Sequence, residues 1–244
     1  MSGSAVVDEP PVGVLGGVGP LATAHFLARV VALTAADRDQ DHVNLAVLQH
    51  ASIPDRTAYI LGRSDTDPGP VLAEDLSRLE RLDVSFVVIP CNTACYFVPG
   101  LRAQARVPVL STVDEAIAAV VRAHPGVRRI GVLGTEGTVE AGLYTVSAAR
   151  VGCEVVLPDE DDARVLQAII YDQVKAGRPV DVTALVGLVE AMHARGAEVV
   201  VLGCTELSVA AAQGLGTAVP VIDALDALAA VVITRTGRKL RSPQ

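Results

Sequence analysis

Two short motifs occur twice in this 244-residue chain, in the same order and at similar spacing. "GVLGGVGP" (Gly13–Pro20) returns in weakened form as "GVLGTEGT" (Gly131–Thr138), and "VSFVVIPCNTAC" (Val84–Cys95) returns as "AEVVVLGCTELS" (Ala197–Ser208). Gly13 and Cys91 lie 78 positions apart; Gly131 and Cys204 lie 73 apart. Internal self-similarity constrains the fold strongly, because one supersecondary plan must be built twice.

What the plan contains follows from the apolar pattern. Short apolar runs at Val12–Leu15, Asn44–Gln49, Val84–Ile89, Val107–Leu110, Ile130–Leu133, Glu154–Leu157, Glu198–Leu202 and Val219–Ile222 read as strands. Helical stretches lie between them: Ala22–Ala36, Val71–Leu82, Val113–Ala123, Val139–Val151, Asp162–Ala176, Val182–Ala194 and Leu225–Thr236. Continuous apolar strands alternating with helices indicate parallel sheets covered on both faces. The expected class is α/β, with two pseudo-symmetric lobes, each a mostly parallel sheet flanked by helices, facing each other across a cleft. The first lobe is expected to span residues 1–105 and to take back residues 215–244; the second fills 106–214.

Composition sets the outer limits. Half the residues are hydrophobic, enough for a substantial core. A net charge of −8 leaves no basic footprint, so neither nucleic acid nor an anionic membrane surface is an expected partner. The basic cluster Arg235, Arg238, Lys239 and Arg241 reads as a solvated tail. "MSGSAVVDEPP" lacks the basic and apolar regions of a signal peptide, and no 18-residue apolar stretch occurs. A cytoplasmic protein with reduced thiols is expected.

The two cysteine motifs share one context: a buried strand, a turn, then the start of a helix. Open α/β sheets bind ligands at the carboxyl ends of their strands. A cysteine there faces helix N-terminal N–H groups, which are expected to lower its pKa from about 8.5. Asn92-Thr93 and Thr205-Glu206 follow directly and can cap a helix or hold a carboxylate. Against this stands the plain reading that Cys91 and Cys204 are small buried hydrophobes; the duplicated context favours function. Other chemistries fit poorly. C-x₃-C is not a zinc spacing and has no histidine close by, so no metal is expected. A thioredoxin-type couple needs C-x-x-C, and no G-x-S-x-G elbow occurs. Gly17–Ala22 formally fits a dinucleotide loop, but the second strand ends in Gln49-His50 rather than an acidic residue. That loop reads better as a cradle of N–H groups for a small anion. Two thiols flanking one carbon fit best: a thiolate removes a proton, and a thiol returns one to the opposite face.

Taken together, "GVLGGVGPLAT", "SIPDRT", "PCNTA", "GVLGTEGT" and "LGCTEL" resemble the aspartate/glutamate racemase superfamily, closest to its aspartate racemase branch, in family order and over nearly the whole chain. The resemblance implies a cofactor-independent amino-acid racemase, a homodimer, with a small acidic amino acid as substrate and Cys91 and Cys204 as the catalytic pair. It implies that Arg56 binds the side-chain carboxylate and that Lys175 stands at the site. Lys175 is one of only two lysines among 20 basic residues. Asn92, Thr93, Thr135 and Thr205 would hold the α-carboxylate and α-amino ends, and Gly17 would line the pocket. Three positions are candidates for specificity or tuning. Val18 stands where methionine is common. Cys95 stands where histidine is common, one helical turn beyond Cys91 and expected at the pocket wall. Glu206, in "GCTE" rather than "GCTH", sets the chain apart from the glutamate racemase branch. Retention of both cysteines argues against a decarboxylase. Two alternatives remain beside racemisation: isomerisation or epimerisation of another small carboxylate on the same scaffold, and a non-catalytic protein that binds small anions.

Overall fold

Each of the eight apolar runs contributes a strand to one of two four-stranded parallel sheets, ordered β2-β1-β3-β4 and β6-β5-β7-β8. The computed structural model describes residues 9–242; the N-terminal stretch read above for a signal peptide lies mostly outside them. The first sheet holds β1 (Val12–Gly16), β2 (Leu45–Gln49), β3 (Val87–Val88) and β4 (Val109–Leu110). Between its strands lie α1 (Pro20–Leu33), α2 (Arg56–Ile60), α3 (Gly69–Glu80), a 3₁₀ turn (Thr93–Phe97) and α4 (Val98–Arg102). After α5 (Thr112–Ala123) the plan repeats with β5 (Arg129–Leu133), α6 (Glu136–Glu140), α7 (Leu143–Ala149), β6 (Glu154–Val156), α8 (Glu160–Gln167), a π-helical segment (Ala168–Val174), α9 (Val182–Ala194), β7 (Val199–Leu202), α10 (Thr205–Ala211), β8 (Val221–Asp223) and α11 (Ala224–Arg235).

The central strands are buried throughout: every residue of β1 and β7 is shielded from solvent. This is why they read as unbroken apolar runs rather than as alternating ones. Equivalent pairings recur in the two halves, Gly13–Val14 beside Val87–Val88 and Ile130–Leu133 beside Val199–Leu202.

The sheets do not divide the sequence where expected. Val109–Leu110 pair with Val87–Val88, so the first sheet extends past residue 105. Val221–Asp223 pair with Val200–Leu202, so the second sheet extends past residue 214. The helices after these two strands cross over. Val113, Ala116, Ile117 and Val120 of α5 pack with Val132, Val201 and Ala148 of the second lobe. Leu225, Leu228, Val232 and Ile233 of α11 pack with Val12, Val14, Phe86 and Val88 of the first. Each lobe therefore covers the other's sheet with its own last helix.

Two long helices expected from the pattern are interrupted. Gly142, at φ 60°, separates α6 from α7, a conformation that costs glycine nothing. The stretch after Asp159 runs as α8 and then widens into the π-helical segment, which ends at Val174 with Lys175 as its C-cap; π-bulges are rare and concentrate at functional sites. The basic C-terminal stretch is not a free tail. Arg241 N–H donates to Leu33 O at 2.7 Å and Ala35 N–H to Lys239 O at 2.9 Å, which ties it to the end of α1. Among the described residues no helix is long and apolar enough to cross a membrane.

Candidate active site

The carboxyl ends of β1, β3, β5 and β7 converge on a narrow cavity. Its wall is formed by Val18, Asp55, Arg56, Thr57, Cys91, Asn92 and Thr93 from the first lobe and by Thr135, Lys175, Cys204, Thr205 and Glu206 from the second. Cys91 and Cys204 therefore open on one space from opposite sheets. Both are buried, 6% and 4% exposed, and all four cysteines are free. A larger cavity of about 660 Å³ between α1, α10 and α11 holds none of the candidate site residues. Among the described residues no three His, Cys, Asp or Glu side chains cluster as a metal site would require.

Local structure explains how each side chain arrives. Cys91 follows a tight turn in which its N–H donates to Ile89 O at 2.7 Å, and Asn92 leads into the 3₁₀ turn. Cys204 is the N-cap residue of α10, so Thr205 and Glu206 form that helix's first turn. Thr135 caps α6, its hydroxyl accepting from Thr138 N–H at 3.2 Å. Asp55 caps α2 through Ala58 N–H at 2.7 Å, which places Arg56 at the first helical position.

Two buried donors on the cavity wall have no partner in the protein: Arg56 Nε and Asn92 Nδ2. Orphaned buried donors are rare and call for an explanation. Arg56 spends Nη1 on the carbonyls of Ile53 and Pro54, at 3.3 and 3.1 Å. The Asn92 amide is oriented by Tyr144, whose hydroxyl donates to Oδ1 at 2.6 Å and so leaves the NH₂ end free. Beside it, the hydroxyls of Thr93, Thr135 and Thr138 form a triangle with sides of 2.9, 3.0 and 2.9 Å that joins the lobes. Near the cavity Tyr171 donates to Thr57 Oγ1 at 3.2 Å, and Arg63 pairs with Glu136 at 2.9 Å.

In the second lobe a carboxylate and a lysine stand beside the thiol. Cys204 Sγ donates to Glu206 Oε2 at 3.0 Å, and Glu206 Oε1 lies 3.9 Å from Lys175 Nζ. Lys175 also sits 4.5 Å above the Tyr171 ring. Burial and then Glu206 raise the Cys204 thiol well above its ordinary value. The expected lowering by the start of α10 does not prevail there, because burial outweighs it and a carboxylate occupies the same turn. Burial alone would lower Lys175, but the anions around it, Glu206 foremost, hold it above its usual value.

Two residues expected at the wall are elsewhere. Gly17 does not line the cavity, and its N–H is taken by Thr23 Oγ1 at 3.0 Å, so it is not free for an anion. Its φ is +88°, and a Cβ would meet the His50 backbone at 2.4 Å, so glycine is there for the close approach of β1 and β2. Cys95 lies behind Cys91, its thiol directed to Cys91 O at 3.6 Å, and it lines a separate cavity with Arg102, Ser111 and Ser147. Burial pushes its pKa up to about 11. Asp55, Thr57, Thr138, Tyr144 and Tyr171 were not anticipated. The first two flank Arg56 in "PDRT" and were legible by adjacency; Tyr144 is 52 positions from the Asn92 it orients and carries no local signal.

A sequence profile for Asp/Glu/Hydantoin racemase matches residues 15–232. The broad specificity amino-acid racemase RacX of Bacillus subtilis is 26% identical over 227 residues, covering 89% of this chain and 94% of that protein. A glutamate racemase of Deinococcus radiodurans is 31% identical over 176 residues, 66% of this chain and 58% of its own length. Among solved structures, Picrophilus torridus aspartate racemase superposes with a TM-score of 0.81 at 27% identity, covering 95% of this chain and 96% of that one. The match spans both sheets and every strand end that builds the cavity, and the chain belongs to the Asp/Glu/Hydantoin racemase family.

Proposed function

We propose that this protein interconverts the enantiomers of a small acidic amino acid, aspartate foremost, by moving the α-proton between two thiols without a cofactor. The observation that carries the reading is the placement of Cys91 and Cys204 on opposite lobes around one narrow cavity. As thiolate, one cysteine removes the α-proton from one face; as thiol, the other delivers a proton to the opposite face, and the roles exchange in the reverse direction.

The rest of the wall suits such a substrate. Arg56, with an unpartnered Nε, would take the side-chain carboxylate. The free Asn92 amide and the Thr93 and Thr135 hydroxyls would take the α-carboxylate, and Thr205, on the Cys204 side of the cavity, would take the amino group. Lys175 shares its charge with Glu206, so the site favours a substrate of small net negative charge over a highly charged one. Removal of the α-proton pushes charge onto the α-carboxylate, and fixed donors in a closed cavity stabilise it. The net charge of −8 opposes an anionic substrate at long range, so attraction must be local. Four free thiols suit a reducing cytoplasm, and the family resemblance carries the expectation of a homodimer, which sedimentation velocity measures directly.

The test is α-proton exchange in D₂O followed by ¹H NMR, first with L- and D-aspartate, then with glutamate and, given the relative described as broad in specificity, a panel of neutral and basic amino acids. Deuterium entering with inversion is expected for aspartate. Exchange with none of the panel overturns the reading.

A further inference from the structure

We propose that Glu206 is a positioning residue that holds the proton on Cys204, so that the resting site keeps a thiol there and gives up its first thiol proton from Cys91. This rests on the two-thiol reading above and adds an order to its steps. The arrangement is peculiar to the second lobe. Cys204 Sγ and Thr205 Oγ1 both reach Glu206 Oε2, at 3.0 and 3.3 Å. The other oxygen faces Lys175 at 3.9 Å and lies against Gly19, where a Cβ would come within 2.9 Å. Glu206 is 7% exposed, so water does not compete for its oxygens. The π-helical segment presents Tyr171 and, at its end, Lys175; α7 presents Tyr144, and the first lobe presents Cys91. Of these Lys175 favours a Cys204 thiolate, while Glu206 opposes it. Asp55, the other carboxylate on the cavity wall, caps α2 instead. Cys91 has Asn92 and Thr93 beside it, and no carboxylate among the described residues accepts from its sulfur.

The order of proton movements follows. From rest, the Cys91 thiolate takes the α-proton, and the C–H electron pair stays on carbon. The Cys204 S–H then gives its proton to the opposite face, and its bonding pair stays on sulfur. Cys91 is left as a thiol and Cys204 as a thiolate 3.0 Å from a carboxylate. Two like charges so close in a shielded cavity disfavour that form. It returns to rest by passing a proton from Cys91 to Cys204 through solvent, or by turning over the opposite enantiomer.

The test reads each thiol separately on substrate-free full-length protein, so it stands whether or not racemisation is found. Iodoacetamide is applied from about pH 6 to about pH 10, and alkylation of the Cys91 and Cys204 peptides is quantified by mass spectrometry. Cys91 is expected to react on the order of 10-fold faster at neutral pH, and Cys204 to need a higher pH to react because a carboxylate accepts from its sulfur. Glu206→Gln keeps an acceptor of the same shape without the charge; it is expected to raise the Cys204 rate about 10-fold and to leave Cys91 within about twofold. The wild-type profiles serve alone should that variant not fold. Superimposed wild-type profiles, or a Cys204 rate unmoved by Glu206→Gln, overturn the proposal.

Discussion

On the first lobe, Cys91 follows a strand of only two paired residues and a tight turn, and its neighbours are an amide and a hydroxyl held by groups from the other lobe. On the second lobe, Cys204 follows a four-residue strand, caps a helix, and is hydrogen-bonded to a carboxylate that is paired in turn with a lysine. The backbone plan is repeated; the chemistry around the sulfur is not. A symmetric reaction needs matched geometry at the two thiols. It does not need matched surroundings, and only the second lobe sets a carboxylate against its thiol.

The sharpest way to break this comparison is to disable each thiol in turn. Cys91→Ser and Cys204→Ser are each expected to lower racemisation by about 10²–10⁴-fold, the usual worth of a positioned acid or base. A fall in only one of them would leave a one-thiol site. Tyr144→Phe tests the holding function of the first lobe. It frees the Asn92 amide to turn and leaves Oδ1 unpaired, so KM is expected to rise about 5–10-fold, equivalent to roughly 1–1.5 kcal/mol, with kcat changed less. Steady-state kinetics would show this; an unchanged KM would detach Asn92 from substrate binding.

The hydroxyl triangle offers a smaller effect. Thr138→Val removes one corner, and the loss of buried hydrogen bonds is expected to destabilise the protein by about 1–2 kcal/mol in urea unfolding. The smallest expected effect concerns Asp223, which accepts from Ser208 at 2.6 Å and caps α11. Burial pushes its carboxyl up to about 6, above the unfolded value of about 3.9. The folded state binds the proton more tightly, so this group's contribution is complete below about pH 4 and is lost as pH rises through about 6. Asp223→Asn keeps the cap and is expected to flatten that part of the pH dependence of the urea midpoint. An unaltered slope would show that the carboxyl is not shielded as the packing indicates.

The central strands β1 and β7 were legible because burial on both faces leaves no polar residue to break an apolar run. β3 and β4 are shorter than their runs, since flanking residues such as Val84 and Val107 pack without pairing. The short helices α2, α4 and α10 escaped the pattern, since five to seven residues are too few to show a helical period. At the site, residues adjacent to a cysteine or in a compact motif were visible. Tyr144, Tyr171 and Thr138 were not, because they act through contacts between the lobes, which local sequence does not record. Gly17 and Cys95 were misplaced for the opposite reason: their motifs adjoin the site, but one backbone N–H is spent on Thr23 and one thiol points behind Cys91.

The crossing of α5 and α11 bears on how such a molecule could have a simpler counterpart. A half-length chain with this strand order would leave its sheet bare where its own last helix departs, and only a second copy could cover it. Two such copies would form a domain-swapped dimer with one thiol from each facing a shared space. The present chain has the arrangement of that dimer within one polypeptide. In a single chain the two halves need not be identical, and here a glutamate stands beside one sulfur and none beside the other.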